Sequence, residues 1–313
     1  MKAADAMTVG VAIVTLNAEH EVEPALRVVL ASPAVKRCLV LDSSSTDGTV
    51  ALARRLGAEV HLLPRAEFNH GATREKARKL LGTDIVVLLT QDVIPEIDFI
   101  APLIEPIQRG NAVVAYSRQL PHLGAGFLEA FPREFNYPAE SDLRSIADTA
   151  RHGVYAFFCS DSAAAYLNSA LDGIGGFEPI LTNEDYFAVA RLLRAGGSIA
   201  YAAGSRVRHS HRYTLMQEFK RYFDTGYVRA ENSWVNDLVG QAESRGASFA
   251  KVMLRRLGQS APYLIPYALL QTGVKWVGYR VGYLSLRMPL WWCRWLSSQR
   301  YYWHSIHYRR PRR

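Results

Sequence analysis

The stretch VGVAIVTL, residues 9–16, decides the fold class. It is a continuous apolar run of strand length, rich in β-branched side chains, and such a run predicts a strand covered on both faces. Apolar residues at helical spacing follow at 18–32, and VKRCLVLDSSS (35–45) reads as a second buried strand. A helix, a strand, a helix and a strand follow at 47–58, 58–63, 70–82 and 84–92. This alternation predicts an α/β fold with a parallel sheet.

The positive charge of the chain is confined to one end. The 313 residues carry a formal net charge of +8. Residues 251–313 hold 12 Lys or Arg and no acidic residue, whereas residues 1–250 hold 25 basic and 29 acidic side chains. The body of the protein is therefore mildly acidic, and no nucleic acid partner is expected.

The cysteines and the first residues indicate the cellular compartment in which the protein works. Cys38, Cys159 and Cys293 are far apart and have no ligand spacing, so neither a disulfide framework nor a zinc site is predicted. MKAADAMTVG (1–10) enters a strand directly and contains no apolar signal-peptide region. We therefore expect a cytoplasmic protein.

Polar residues follow three of the predicted strands at their carboxyl ends, namely Thr15–Asn17, Asp42–Ser45 and Thr90–Asp92. Ligands of open α/β sheets bind beyond these ends, so we expect the three clusters to converge on one site. Taken alone, DSSSTDGTV (42–50) fits a turn with a helix cap, but it also fits a site for a nucleotide base or phosphates at a helix amino terminus.

Two further polar groups lie in the second half of the chain. Asn183-Glu184-Asp185 precedes an amphipathic helix that ends at Gly196. Paired carboxylates at a helix start are commonly caps that favour the helix dipole, but one of them could also act as a general base. In RVRHSHRY (206–213), His209 and His211 are two residues apart and face the same side of an extended segment, either as structural side chains or as ligands.

Together these motifs resemble family 2 glycosyltransferases, which have the GT-A fold. VTLN at the first strand end, DSSSTDGT at the second, TQD at the fourth and GGFE followed by NED occur in the family's order over about residues 8–230. The resemblance implies an α/β, GT-A-like (Rossmann-like), mostly parallel sheet flanked by helices. It implies a domain at 1–230, with a nucleotide-binding half at about 8–100 and an acceptor half at about 101–230.

Two features of the sequence resemble the rhamnosyltransferase branch of this family. Thr90 replaces the usual first aspartate of the metal motif, and FNHGATR (68–74) is similar to a stretch typical of the branch that uses dTDP-L-rhamnose. Without the resemblance, Asn69 or His70 would read as a helix cap. The resemblance implies that Asp42 binds the pyrimidine edge. Arg74 is one candidate for neutralising phosphate charge. The implied donor contacts are Thr15, Asn17, Asp42, Ser44, Phe68, Asn69, Arg74, Thr90 and Gln91.

The resemblance also implies an inverting, metal-dependent mechanism. Asp92 and His209 would hold Mg²⁺ or Mn²⁺ together with the phosphates of the donor, and His211 would contact a phosphate. Asp185 would be the general base, with Glu184 orienting it or binding the acceptor. In CSDSAAAYLNS, which reads as a turn followed by a helix, Ser160 and Asp161 would contact the acceptor or the donor sugar.

Two alternatives share part of this interpretation. The same fold could use a UDP-hexose or another dTDP-hexose as donor. A non-catalytic sugar-nucleotide-binding protein would leave Asp92 and Asp185 without a chemical role.

The last part of the chain, 231–313, has a composition of its own. Residues 260–313 hold five of the six tryptophans, interleaved with tyrosine and basic residues. This composition predicts a helical extension that lies peripherally on the anionic inner face of the cytoplasmic membrane and serves a lipid-linked or glycan acceptor. The best spanning candidate, 257–274, contains prolines and polar residues, so a full span is not expected. The alternative is a helix pair packed on the main domain.

Overall fold

A computed structural model describes residues 7–239 and 245–309. Within these residues, nine strands form one sheet in the order β3-β2-β1-β4-β8-β6-β9-β5, and β7 pairs with β9. The strands are β1 (Val9–Thr15), β2 (Arg37–Asp42), β3 (Glu59–Leu62), β4 (Ile85–Thr90), β5 (Ile94–Pro95), β6 (Val114–Leu120), β7 (Asp142–Arg144), β8 (Ala163–Leu167) and β9 (Ile199–Arg208). The α-helices are α1 (Glu23–Ala31), α2 (Thr49–Leu56), α3 (His70–Leu81), α4 (Ile100–Gln108), α5 (Phe127–Asn136), α6 (Thr149–His152), α7 (Asn168–Gly173), α8 (Glu184–Arg194), α9 (Leu215–Glu231), α10 (Arg245–Ser260), α11 (Ile265–Leu284) and α12 (Leu290–Leu296).

The first four strands are parallel, as their alternation with helices predicts. β1 pairs with β2 on one side and with β4 on the other, and β2 pairs with β3. Thr15 lies opposite Asp42, and Val14 lies opposite Thr90. The carboxyl ends of three strands therefore meet at one edge of the sheet, where the sequence places its polar clusters.

Strand β8 corrects one prediction. Ala163–Leu167 was expected to be helical, but it runs antiparallel between β4 and β6 at the centre of the sheet. Alternate side chains enter opposite cores: Ala163 and Ala165 pack on one face, and Ala164 and Tyr166 pack on the other. Tertiary burial on both faces overrides the helix propensity of alanine, because small side chains fit between the layers of helices.

The carboxyl-terminal extension is helical, as predicted, and it packs on the main domain. α11 lies against α9 with its backbone in contact, since a Cβ atom built on Gly282 would lie 2.0 Å from the carbonyl oxygen of Phe223. Further along, Trp303 is 1% exposed and meets Tyr227 edge to face, with 4.8 Å between ring centroids. No helix in the described part of the chain has the length and apolar character needed to cross a membrane.

Candidate active site

A cavity of about 360 Å³ opens where the ends of β1 and β4 meet. The predicted residues Thr15, Phe68, Arg74, Thr90, Gln91 and Asp92 line it. The sequence analysis missed the other lining residues, among them Arg65, His70, Gln299 and Tyr301. Gln299 and Tyr301 could not have been found from motifs, because they come from the far end of the chain and reach the site only through the packing of the extension.

Asp92 and two histidines form a cluster with the chemistry of a metal site. One carboxylate oxygen of Asp92 lies 3.4 Å from His209 Nε2 and 3.3 Å from His211 Nε2. The candidate ligand atoms of the three residues all lie within 4.8 Å of one another. His211, expected to contact a phosphate, thus stands beside Asp92 as a third candidate ligand.

The electrostatics of this cluster favour a positive charge at its centre. Burial alone would raise the pKa of Asp92, but the hydrogen bond and the charge of His209 hold that pKa well below its usual range. Burial also lowers the pKa of His209 and lowers that of His211 to about 4. The imidazoles therefore give up a proton readily next to an ionised carboxylate, and a divalent cation can take the place of that proton.

Gln119 fixes the orientation of His209, and no motif indicates this residue. Its amide nitrogen donates to Ser160 Oγ at 2.8 Å, so its carbonyl oxygen faces His209 Nδ1 at 3.1 Å and accepts from it. With Nδ1 protonated, Nε2 faces Asp92: it donates to the carboxylate while it carries a proton, and it offers a lone pair to a cation once that proton is lost. Such an outer partner commonly sets the tautomer of a metal-binding histidine. Ser160 is predicted to contact the acceptor or the donor sugar. In this structure it accepts a hydrogen bond from Gln119, which orients His209.

Asp42 holds the strand ends together and is absent from the cavity wall. Its side chain is 0% exposed, and its carboxylate accepts from Thr15 Oγ1 at 3.0 Å and from the backbone N–H and the hydroxyl of Ser45. In this conformation no carboxylate surface is free for a pyrimidine edge, which corrects the expectation from the resemblance. Thr15 itself lines the cavity.

Three other predicted donor residues also have roles within the protein. Asn17 and Ser44 adopt positive φ angles of 49° and 64° at the strand-end turns. The Asn17 side chain accepts from the backbone N–H of Thr46, and the Ser44 hydroxyl donates to the carbonyl of Leu63. Gln91 accepts from the backbone N–H of Leu16 at 2.8 Å and so ties β4 to β1. Their contact with a nucleotide remains a prediction.

Asn69 is a helix cap, which is the alternative that the sequence left open. It is 1% exposed, its side-chain oxygen accepts from the backbone N–H of Ala72, and its amide group donates to the carbonyl of Ile180. Since both polar groups are used, the predicted nucleotide contact of Asn69 does not fit this structure. Its neighbour Phe68 does line the cavity.

Arg74 is buried in a network of carboxylates. Its guanidinium pairs with Asp161, at 3.1 Å between Nε and Oδ2, and with Glu184 in a short contact. Asp161 also accepts from the Tyr166 hydroxyl at 2.6 Å. These pairs do not fit the phosphate role of Arg74, whose charge is matched within the protein, or the acceptor contacts of Asp161 (2% exposed) and Glu184 (6% exposed). The other predicted role of Glu184, orienting Asp185, remains a prediction.

Asp185 lies at the edge of this network and keeps the properties of a base. It is less buried than Glu184, and among the described residues its carboxylate accepts only from the backbone N–H groups of Tyr186 at 2.7 Å and Asp161 at 3.3 Å. Burial, with the charge of Glu184, raises the pKa of Asp185 to about 6. Glu184 thus acts on Asp185 through its charge. Burial raises the pKa of Asp161 to about 8, so the cluster holds protons near neutral pH.

Comparison with known proteins supports the resemblance seen in the motifs. Residues 10–175 match the family described as Glycosyl transferase family 2. The chain is 40% identical over 273 residues to the O-antigen chain rhamnosyltransferase WbaN of Salmonella anatum, covering 86% of this chain and 87% of the relative. It is 38% identical over 276 residues to the O-antigen chain rhamnosyltransferase RfbN of Salmonella typhimurium, covering 87% and 88%.

A solved structure shows the same architecture. The mannosyltransferase PcManGT from Pyrobaculum calidifontis, in complex with GDP-Man and Mn²⁺, superposes with a TM-score of 0.60 at 14% identity, covering 89% of this chain and 87% of that one. At this identity the likeness concerns the fold, and the predicted GT-A architecture is confirmed. The chain belongs to glycosyl transferase family 2, and it is a glycosyltransferase.

Proposed function

We propose that the enzyme transfers L-rhamnose from dTDP-L-rhamnose to a hydroxyl of a lipid-linked or cell-surface glycan acceptor, with inversion and with a divalent cation. The observation that carries this proposal is the Asp92, His209 and His211 cluster at the cavity between the ends of β1 and β4. The rhamnosyltransferase relatives support the sugar, and their role in O-antigen chains supports a polysaccharide acceptor such as the O-antigen of lipopolysaccharide.

Asp92, His209 and His211 would hold Mg²⁺ or Mn²⁺ together with phosphate oxygens of the donor. The carboxylate and phosphate oxygens are the ligands that these ions prefer, and the imidazoles are the softer part of the set. The ion would act as a Lewis acid that stabilises the charge of the departing nucleoside diphosphate. The Mn²⁺ of the archaeal mannosyltransferase structure supports this assignment.

Asp185 would remove the proton of the acceptor hydroxyl. A pKa of about 6 leaves this carboxylate ionised at neutral pH and makes it a stronger base than an exposed aspartate. A single displacement needs one such base and forms no covalent sugar intermediate. Arg74 and Glu184 would keep Asp185 in place through the buried network, without contact to the substrate.

The donor is tested with purified full-length enzyme, Mn²⁺ and a panel of dTDP- and UDP-sugars on a polysaccharide-precursor acceptor. We expect turnover with dTDP-L-rhamnose, loss of turnover in excess EDTA, and recovery when Mn²⁺ or Mg²⁺ is added back. Faster turnover with a UDP-hexose or another dTDP-hexose would support the alternative donor. Full activity in EDTA would overturn the metal dependence.

We further propose that α12 rests peripherally on the inner face of the cytoplasmic membrane. Trp291 and Trp295 are 66% and 60% exposed, and Arg294 between them is also exposed. Exposed tryptophan flanked by cations fits the interface of an anionic bilayer, where each nearby basic residue contributes up to ~1 kcal/mol. The acid-free tail carries 12 basic residues, of which Arg256 and Lys275 are paired with carboxylates of the main domain.

Co-sedimentation with phosphatidylglycerol vesicles tests this contact, with phosphatidylcholine vesicles as the neutral comparison. We expect the double variant Trp291→Ala/Trp295→Ala to lose most of its binding. The matched control is Leu123→Ala, which removes an apolar side chain that is 84% exposed on the main domain. Equal binding by both variants would exclude α12 as the contact.

A further inference from the structure

One cation of the cavity has no matching negative charge. Arg74 is paired with two carboxylates, and burial lowers the pKa of His70 to about 4, so His70 is neutral at pH 7. Arg65 is exposed and, within the described residues, forms no ion pair with a carboxylate. An anionic ligand in the cavity would therefore meet its uncompensated positive charge at Arg65.

Two aromatic rings position Arg65 without neutralising it. The guanidinium carbon lies 5.3 Å from the ring centroid of Phe68 and 5.1 Å from that of Tyr301. The centroids of these two rings are 5.6 Å apart. A cation–π contact holds a guanidinium by the quadrupole of the ring, and unlike a carboxylate it leaves the formal charge and the N–H donors available.

Tyr301 belongs to a carboxyl-terminal segment (residues 297–309) that is fixed on both sides of this contact. Before it, the backbone N–H of Ser298 donates to Asp224 of α9 at 2.9 Å. After it, Trp303 is buried against α9, and His307 Nε2 donates to the carbonyl of Glu67 at 3.0 Å. The last bond ties the segment to the loop that carries Arg65.

We propose that the carboxyl-terminal segment is part of the donor site, where Tyr301 holds Arg65 in position to bind the diphosphate of the nucleotide donor. This inference rests on the proposed function for the presence of a nucleoside diphosphate. It assigns Arg65 as the phosphate-binding cation in place of Arg74. It also means that the extension completes the pocket of the catalytic domain.

Calorimetric titration of the full-length protein with dTDP and with thymidine, both in the presence of Mn²⁺, tests the assignment. Loss of a charge-assisted bond to phosphate predicts that Arg65→Ala binds dTDP about ten- to a hundredfold more weakly. Thymidine has no phosphate, so its affinity should change little. Arg54→Ala is the matched control, because Arg54 is an exposed arginine on α2 that does not line the cavity.

Variants of Tyr301 test the contribution of the segment. Tyr301→Phe keeps the ring and should bind dTDP like the wild type, whereas Tyr301→Ala should bind it more weakly. The double variant Arg65→Ala/Tyr301→Ala should bind no more weakly than Arg65→Ala, because the two residues act as a unit. Thermal unfolding of each variant identifies any loss that comes from misfolding.

The outcomes separate this inference from the proposed function. If the wild type binds neither dTDP nor UDP with Mn²⁺, the proposed function fails and this inference fails with it. If the wild type binds dTDP and Arg65→Ala binds it equally well, only this inference is overturned. An equal loss for dTDP and thymidine would also overturn it, since Arg65 would then contact the nucleoside.

Discussion

Asp92 lines the cavity and Asp185 does not, and the surroundings of these two centres shift the pKa values of their carboxyl groups in opposite directions. Next to two imidazoles, the pKa of Asp92 falls well below its usual range. Within a group of buried carboxylates, the pKa of Asp185 rises to about 6. The first environment suits a carboxylate that meets a cation and the second suits one that accepts a proton, which agrees with the roles proposed for the two residues.

The largest effect is expected from replacing Asp92, which lies at the proposed cation site. Asp92→Asn removes the charge that the imidazoles face, and a metal contribution of several kcal/mol corresponds to a loss of about a thousandfold or more in kcat. Mn²⁺ binding in the presence of dTDP, measured by calorimetry, should fall together with the rate. Turnover near the wild-type level in this variant would remove Asp92 from the mechanism.

Replacement of Asp185, the proposed general base, is expected to have a different effect. Asp185→Asn should lower kcat by about a hundred- to ten-thousandfold, because a general base contributes that range. Binding of Mn²⁺ and dTDP should stay unchanged, since Asp185 does not line the cavity that contains Asp92. A parallel loss of nucleotide binding would show that the two centres are not separate.

A variant of Gln119 tests how strongly metal binding depends on the hydrogen bond that orients His209. Gln119→Ala leaves His209 Nδ1 without its acceptor, and removal of such a partner typically lowers metal affinity or activity about ten- to a hundredfold. We expect the loss to appear in the Mn²⁺ concentration needed for half-maximal rate, with partial recovery at saturating Mn²⁺. Gln119→Glu should restore the acceptor. Failure of that variant to bind Mn²⁺ better than Gln119→Ala would contradict the positioning role.

Local patterns in the sequence were enough to predict the parallel half of the sheet and the place of the site. Apolar runs of strand length identify β1, β2 and β4, and the polar residues at their ends fall at one edge because the strands are parallel. The same reasoning failed for β8, where three alanines favour a helix locally but lie in the middle of the sheet. The secondary structure of such a segment depends on long-range packing, and a short stretch of sequence carries no information about that packing.

The partners of the site residues were harder to predict than the residues themselves. Arg74 and Glu184 are 110 positions apart and pair in the interior, and Tyr301 reaches Arg65 from the far end of the chain. A motif shows which residues carry chemistry but not which charges are already matched. The phosphate role given to Arg74 and the base-edge role given to Asp42 were weakened by neighbours that only the fold brings together.

The pH dependence of kcat is the smallest effect and the one that best separates the two centres. Asp185 must be ionised to accept a proton, and its pKa is raised to about 6, so the rate should fall about tenfold per unit below that pH. At pH 5 the loss is thus about tenfold. Asp92 stays ionised over this range and His211, with a pKa of about 4, stays neutral, so neither accounts for the fall. The small residual rate of Asp185→Asn should therefore lack this fall between pH 7 and pH 5, and a fall of the same size in that variant would place the titrating group elsewhere.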